Sequence, residues 1–189
     1  MRSWVRGVAS TFDVSVFQWV IGHRLPVLNL LFSPLSHFGG FVWVGIAVGL
    51  GLLKRRRWAG IYQAALGIGL AVLLADAVAK PLISRQRPYA DFRDVVLLAG
   101  LQRSGSFPST HAAGSLAGAY ALSRVFPEFA AGLWLLAGLV ACARVYVGVH
   151  FPLDVIGGAL IGVLAGAFVI GGTRCLDPDS DPSGLRAKG

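Results

Sequence analysis

From Trp58 to Ala79 the chain carries one charged residue, Asp76, and a run of that length and apolarity has one stable setting: a helix across a lipid bilayer. Four other segments repeat the pattern. They cover about Phe38–Leu53, extendable back to Pro26, then His111–Leu122, Phe129–Val149 and Pro152–Thr173. A span takes about 20 helical residues, so the Trp58, Phe129 and Pro152 segments are long enough and the His111 segment is short. Composition agrees, with 55% hydrophobic and 14% charged residues where an average soluble domain has roughly 25% charged. Disorder is excluded by that apolarity, and a disulfide scaffold by having only Cys142 and Cys175. The expected fold is all-α: a polytopic membrane bundle of five to six transmembrane helices with an N-terminal interfacial helix, forming one domain over residues 1–173.

Lys54-Arg55-Arg56-Arg57 occupies the short loop between the first two spans, and positive-inside bias places it in the cytoplasm. Alternation then puts the Lys80–Thr110 loop and the His150 turn outside, and the Arg124–Glu128 turn and the tail 174–189 inside. The tail is polar and expected to fray. Residues 1–25 hold a helix-like stretch, Phe12–Ile21, interrupted by Asp13 and Gln18; it is too short and polar to span and reads as interfacial. A sixth span built from residues 12–36 is the alternative. Glycines recur four apart at Gly114/Gly118, Gly158/Gly162 and Gly162/Gly166, the spacing of close helix packing in lipid. On this topology Cys142 and Cys175 lie toward opposite membrane faces, too far apart to pair.

The net charge of +8 does not indicate nucleic acid, because the cations form two small clusters rather than one groove. Membrane orientation and an anionic substrate account for them better. Lys80, Arg87, His111, Arg144, His150 and Asp154 come from separate segments, yet the topology brings them to one membrane face, as a site requires. In KPLISRQRP, Lys80 supplies a compact charge and Arg87, before Pro88, a planar fork, a combination suited to phosphate oxygens. Snorkelling cations at a helix end are the bland alternative. Asp76 lies one turn before Lys80 and is placed to hold its ammonium.

FPSTH leads directly into an apolar helix, whose first amides are unpaired and attract anions. Ser109 and Thr110 serve there as an N-cap or as direct phosphate contacts, while His111 suits an acid/base role. In ARVYVGVHFPLDV, Pro152 opens a helix and sets Asp154 in its first turn, within reach of His150. A histidine held by a carboxylate has one nitrogen fixed as donor and the other free to attack an electrophile. A zinc site on His111, His150 and Asp154 is disfavoured by the neighbouring guanidinium and ammonium groups, so neither metal nor cofactor is expected.

These three blocks, in this order and over residues 80–154, resemble the signature motifs of the type 2 phosphatidic acid phosphatase (PAP2) family. The flanking helices resemble those of its small bacterial members. Some of those dephosphorylate undecaprenyl pyrophosphate, others phosphatidylglycerophosphate or related lipid phosphates. The resemblance implies that His150 is the nucleophile of a phosphohistidine intermediate, Asp154 its orienting partner and His111 the acid for the leaving group. It implies that Lys80, Arg87, Ser109, Thr110 and Arg144 hold the phosphate, with Asp76 and Pro88 in support. Thr110 stands where the commonest motif has Gly, and Ala143 where it usually has Ser; the larger Thr110 is expected to narrow the pocket or add a hydroxyl contact.

The expected activity is hydrolysis of a lipid phosphate or pyrophosphate at the extracytoplasmic face of a bacterial cytoplasmic membrane, with undecaprenyl pyrophosphate as first choice. Phosphatidylglycerophosphate or phosphatidate hydrolysis and phosphoryl transfer to a lipid acceptor are the alternatives. A vanadate-dependent haloperoxidase shares the constellation but belongs to large soluble chains, and a lipid carrier has no use for the His150–Asp154 pair. Expected partners are the substrate and the surrounding membrane lipids.

Overall fold

The computed structural model describes residues 10–54, 58–92 and 94–176, and all regular structure among them is helical. Arg55, Arg56 and Arg57 of the orienting loop and residues 177–189 of the polar tail lie outside the described residues.

Helix α1 spans Ser10–Gly22 and ends before a turn at His23–Leu25. That turn breaks the continuous sixth span considered for residues 12–36. At 1.5 Å per residue, the 13 residues of α1 reach about 20 Å, short of the roughly 30 Å hydrocarbon core. Helix α2, Pro26–Leu53, begins with Pro at its first turn, where a missing N–H costs nothing. It therefore starts twelve residues before Phe38, at the early limit of the expected range. The polar residues that make this region look unlike a span are satisfied across the bundle. Ser33 Oγ donates to the Leu98 carbonyl at 2.7 Å, and Asn29 Oδ1 accepts from Tyr146 Oη at 2.9 Å.

Helix α3, Trp58–Leu73, runs on through a π-helical segment, Leu74–Ala79, into α4, Lys80–Ile83. A left-handed Ser84 (φ 46°) stops it. The helix thus continues past Ala79, and the wider π turn falls where Asp76 faces Lys80, the kind of place where such segments concentrate. A short α5, Pro88–Asp91, precedes the loop to α6, Thr110–Val125. A 3₁₀ turn, Pro127–Phe129, then leads to α7, Ala130–Tyr146, and a second turn to α8, Pro152–Leu176.

Four described segments are long and apolar enough to cross a membrane: Pro26–Leu53, Trp58–Asp91, Pro127–Tyr146 and Pro152–Gly172. Their outward faces carry large apolar side chains such as Leu30, Phe41, Leu82 and Phe168, a surface that lipid rather than water solvates. The short helix α6 is different. Ala112, Ala113, Ala117, Ala119, Ala121 and Leu122 are fully buried, because α6 is the central helix of the bundle. Its small residues let neighbours approach to backbone contact. A Cβ on Gly158 or Gly162 of α8 would collide with the carbonyl oxygens of Ser109 and Ala113, and one on Gly67 of α3 would sit 3.4 Å from Gly166 Cα. The glycine spacing read from the sequence is thus a packing seam along α8. Trp43 of α2 closes the other side, its Nε1 donating to Ser115 Oγ of α6 at 2.9 Å.

Candidate active site

Three loops meet at one end of this bundle, where α6 and α8 begin and α4 and α7 end. Between them lies a cavity of about 670 Å³ lined by Asp76, Lys80, Ser84, Gln102, Ser104, Thr110, His111 and His150, among others.

The turn between α7 and α8 presents His150. Gly148 takes φ 91°, a conformation that strains any side chain, and the Val149 and His150 amides fold back onto the Arg144 carbonyl at 3.3 and 3.2 Å. Pro152 then starts α8 and sets Asp154 in its first turn. Asp154 Oδ2 accepts from the Phe151 amide at 2.8 Å and from Ser106 Oγ, so the carboxylate caps its own helix. The same oxygen lies 3.6 Å from His150 Nδ1, an ion-pair distance longer than a hydrogen bond. On the other side of the ring, Arg87 Nη1 donates to His150 Nε2 at 3.3 Å. A guanidinium only donates, so Nε2 carries the lone pair and the proton sits on Nδ1, facing Asp154. Burial pushes the His150 pKa down to about 4; Asp154 raises it and the Arg144 and Arg87 charges lower it further, so the imidazole is neutral at pH 7.

The cations are held unequally. Arg87 has all five N–H groups engaged: Nε with the Ser104 carbonyl at 2.9 Å, Nη1 with the Val149 carbonyl at 3.0 Å and His150 Nε2, and Nη2 with the Gly105 carbonyl at 3.1 Å and Ser104 Oγ at 3.3 Å. Its two longest contacts, to His150 and Ser104 Oγ, are the ones an incoming anion would replace. Lys80 Nζ donates to Asp76 Oδ1 at 2.5 Å, Thr110 Oγ1 at 2.8 Å and Ser104 Oγ at 3.4 Å. Arg144 is anchored from one side only, with Nη1 donating to Ser36 Oγ at 2.5 Å and to the Ser36 carbonyl at 3.0 Å. Its buried Nε and Nη2 have no hydrogen-bond partner among the described residues. Two orphaned donor nitrogens on a guanidinium that is 1% exposed are costly unless an anion arrives to meet them.

Ser109 is the N-cap of α6, its Oγ accepting from the Ala112 amide at 3.4 Å, while its own amide donates to the Asp154 carbonyl at 2.9 Å. Of the two roles open to it, its hydroxyl takes the capping one here. Thr110 Oγ1 donates to Asp76 Oδ1 at 2.6 Å, so the extra hydroxyl joins the Lys80 cluster. Pro88 is buried at the start of α5 behind Arg87. Every site residue named from the sequence therefore falls at this end of the bundle.

Four participants escaped that reading. Ser36 orients Arg144, Ser104 bridges Lys80 and Arg87, Ser106 binds Asp154, and Arg85 Nη1 donates to Asp154 Oδ1 at 2.8 Å. Arg85 stands inside KPLISRQRP with a charge that marked it, whereas the serines carry no such signal. Among the described residues no group of three or more His, Cys, Asp or Glu side chains could hold a metal ion.

The decisive comparison is with family models: residues 60–174 match the PAP2 superfamily. The chain belongs to the PAP2 superfamily. This PAP2 chain is 35% identical over 156 residues to an undecaprenyl-diphosphatase of Sulfolobus acidocaldarius, covering 80% of this chain and 73% of that one. It is 35% identical over 153 residues to the decaprenylphosphoryl-5-phosphoribose phosphatase of Mycobacterium tuberculosis, covering 74% and 78%. The crystal structure of Aquifex aeolicus LpxE superposes with a TM-score of 0.73 at 30% identity, covering 85% of this chain and 96% of that one. The protein is an integral membrane lipid phosphatase of the PAP2 superfamily.

Proposed function

We propose that this PAP2 protein hydrolyses a polyprenyl pyrophosphate, undecaprenyl pyrophosphate first, to the monophosphate through a phosphohistidine on His150 at the extracytoplasmic face. The observation that carries the mechanism is the polarisation of His150, with Nε2 unprotonated beside Arg87 and Nδ1 facing Asp154 at 3.6 Å. In the first step Nε2 bonds to the terminal phosphorus and the bridging P–O bond breaks. His111, lining the same cavity, takes up a proton as the anionic substrate binds beside it and gives that proton to the departing lipid phosphate oxygen. Asp154 stabilises the imidazole as it becomes cationic. Water then attacks the phosphohistidine, releasing inorganic phosphate and returning a proton to His111.

Charge on the equatorial oxygens is met by Arg144 through its unpartnered Nε and Nη2, by Arg87 and by Lys80. The first-turn amides of Thr110 and His111 add donors, with Ser109 keeping that turn in place. Each positioned cation contributes roughly 3 to 4 kcal/mol, by analogy with a single oxyanion donor. The substrate choice is supported by the outward-facing site expected from Lys54–Arg57 and by the likeness to an undecaprenyl-diphosphatase.

Rapid-quench trapping with a radiolabelled terminal phosphate, in EDTA, tests both parts. An acid-labile, base-stable phosphoenzyme is expected in the wild type and absent in His150→Ala. His111→Ala should lose turnover of the lipid but keep much of it on an activated aryl phosphate, whose phenolate leaves unaided. A phosphoenzyme that persists in His150→Ala and vanishes in His111→Ala reverses the roles. Competition among undecaprenyl pyrophosphate, phosphatidylglycerophosphate and phosphatidate decides the substrate.

A further inference from the structure

The carboxylate of Asp13, on α1, is fully buried although it belongs to a short N-terminal helix. Its Oδ1 accepts from the Leu153 amide at 2.8 Å and its Oδ2 from Arg85 Nη2 at 2.5 Å. The other arm of the same guanidinium, Nη1, donates to Asp154 Oδ1 at 2.8 Å. Arg85 is therefore clamped between two carboxylates, with its Cζ also 4.6 Å from the centroid of the Phe151 ring. The arrangement runs from Asp13 through Arg85 to Asp154, whose other oxygen lies 3.6 Å from His150 Nδ1. Phe17, one turn along α1, seats the helix by packing against Phe92 and Phe151 at centroid distances of 5.9 and 5.4 Å.

An arginine bound only to Asp154 would cancel the charge that Asp154 offers to His150. Two carboxylates around one guanidinium leave one net negative charge, and Arg85's fork fixes the plane in which Asp154 presents it. We propose that Asp13 and Arg85 are positioning residues for the His150–Asp154 pair: Asp13 offsets the Arg85 charge, and Arg85 holds Asp154 in the orientation that supports His150 as it becomes cationic. The N-terminal helix is then part of the catalytic apparatus rather than only a surface attachment. This inference rests on the proposed roles of His150 and Asp154.

The test uses the full chain in detergent with an activated aryl phosphate, whose burst of phenolate reads the phosphorylation step without depending on the lipid. Asp13→Asn keeps an oxygen to accept from the Leu153 amide and removes the charge. It is expected to slow the burst by about tenfold with KM unchanged. In Asp13→Asn/Arg85→Met both extra charges are gone and Asp154 again carries one net negative charge. The burst should recover by about threefold or more over Asp13→Asn alone, where a purely structural role predicts a further loss. Should Asp13→Asn not fold, Arg85→Lys replaces it; one ammonium cannot span both carboxylates as the fork does, and the same tenfold slowing at constant KM is expected. A burst rate within twofold of wild type in the single variant, or a double variant no faster than Asp13→Asn, overturns the inference while a His150 phosphoenzyme leaves the underlying mechanism standing. A phosphoenzyme that survives His150→Ala overturns both.

Discussion

The seam between α6 and α8 makes a quantitative test, because its glycines meet backbone rather than side chains. A Cβ on Gly162 would strike the Ala113 carbonyl oxygen closer than real Cβ atoms come, with the Ala113 carbonyl carbon and the Ala117 amide nitrogen both at 3.0 Å. No rotamer change relieves such a clash, so the two helices must separate by about 1 Å at that level. Overpacking of this kind costs typically 1–3 kcal/mol, and backbone on both sides puts Gly162→Ala at the upper end. On the scale of globular domains of this size, about 3 kcal/mol lowers the unfolding midpoint by roughly 6–12 °C. Gly158→Ala adds a functional consequence. The atom struck is the Ser109 carbonyl oxygen, and the Ser109 amide is the one bonded to the Asp154 carbonyl. A displacement of about 1 Å there separates His111 from His150 and costs on the order of 10²-fold in turnover. Gly171→Ala is the control, since nothing lies within 4 Å of its Cβ position. Thermal unfolding and turnover of the three variants in detergent provide the measurements. A Gly158→Ala protein with wild-type stability and turnover would refute the claim that backbone contact along this seam positions the site.

Other predictions follow from single groups. His150 titrates near 4 when folded against an ordinary 6.5, so between those values the unfolded chain binds the proton and the folded one does not. The contribution of His150 to stability is therefore full above pH 6.5 and falls by roughly 3 kcal/mol as pH drops to 4, measurable as a declining unfolding midpoint whose slope His150→Gln reduces. The acid limb of kcat/KM should likewise lie well below 6.5; a limb at that value would contradict a desolvated nucleophile. Ser36→Ala removes the Oγ that anchors Arg144 at 2.5 Å but leaves the carbonyl at 3.0 Å, so about a tenfold loss in kcat/KM is expected. Arg144→Gln should lose on the order of 10²–10³-fold. Orientation is read by an impermeant thiol reagent on intact cells: a cysteine at Gly105, where a Cβ meets only ordinary contacts, should be labelled, and one at Lys54 should not. The reverse pattern would put the site in the cytoplasm.

The parts of this protein that were legible in the sequence are those whose partners are close along the chain or whose solvent is lipid. Apolar runs announced the long helices, and the four-residue spacings placed Asp76 against Lys80 and Asp154 against His150. Helix α6 was marginal for a reason that follows from its position. Surrounded by protein, it needs only small residues for close approach, so it is shorter and less apolar than a lipid-facing span. The early part of α2 was ambiguous because Asn29, Ser33 and Ser36 look like interruptions until Tyr146, Leu98 and Arg144 satisfy them.

Asp13 shows most clearly where local reading stops. In the sequence it is a charge that spoils an apolar helix, and it serves to argue that α1 is too polar to span. In the fold the same charge is buried against Arg85, 72 residues away, and Leu153, 140 away. Neither partner is implied by any period of helix or motif. An unpaired buried carboxylate would be expelled or protonated, so its position is tolerable only because α1 docks where a guanidinium already needs a second counter-charge. That need is itself created by the site: Asp154 must face His150 with its charge intact, and Arg85 beside it would otherwise neutralise that charge. The polarity that keeps α1 from spanning the membrane is thus the same polarity that ties it to the catalytic end of the bundle.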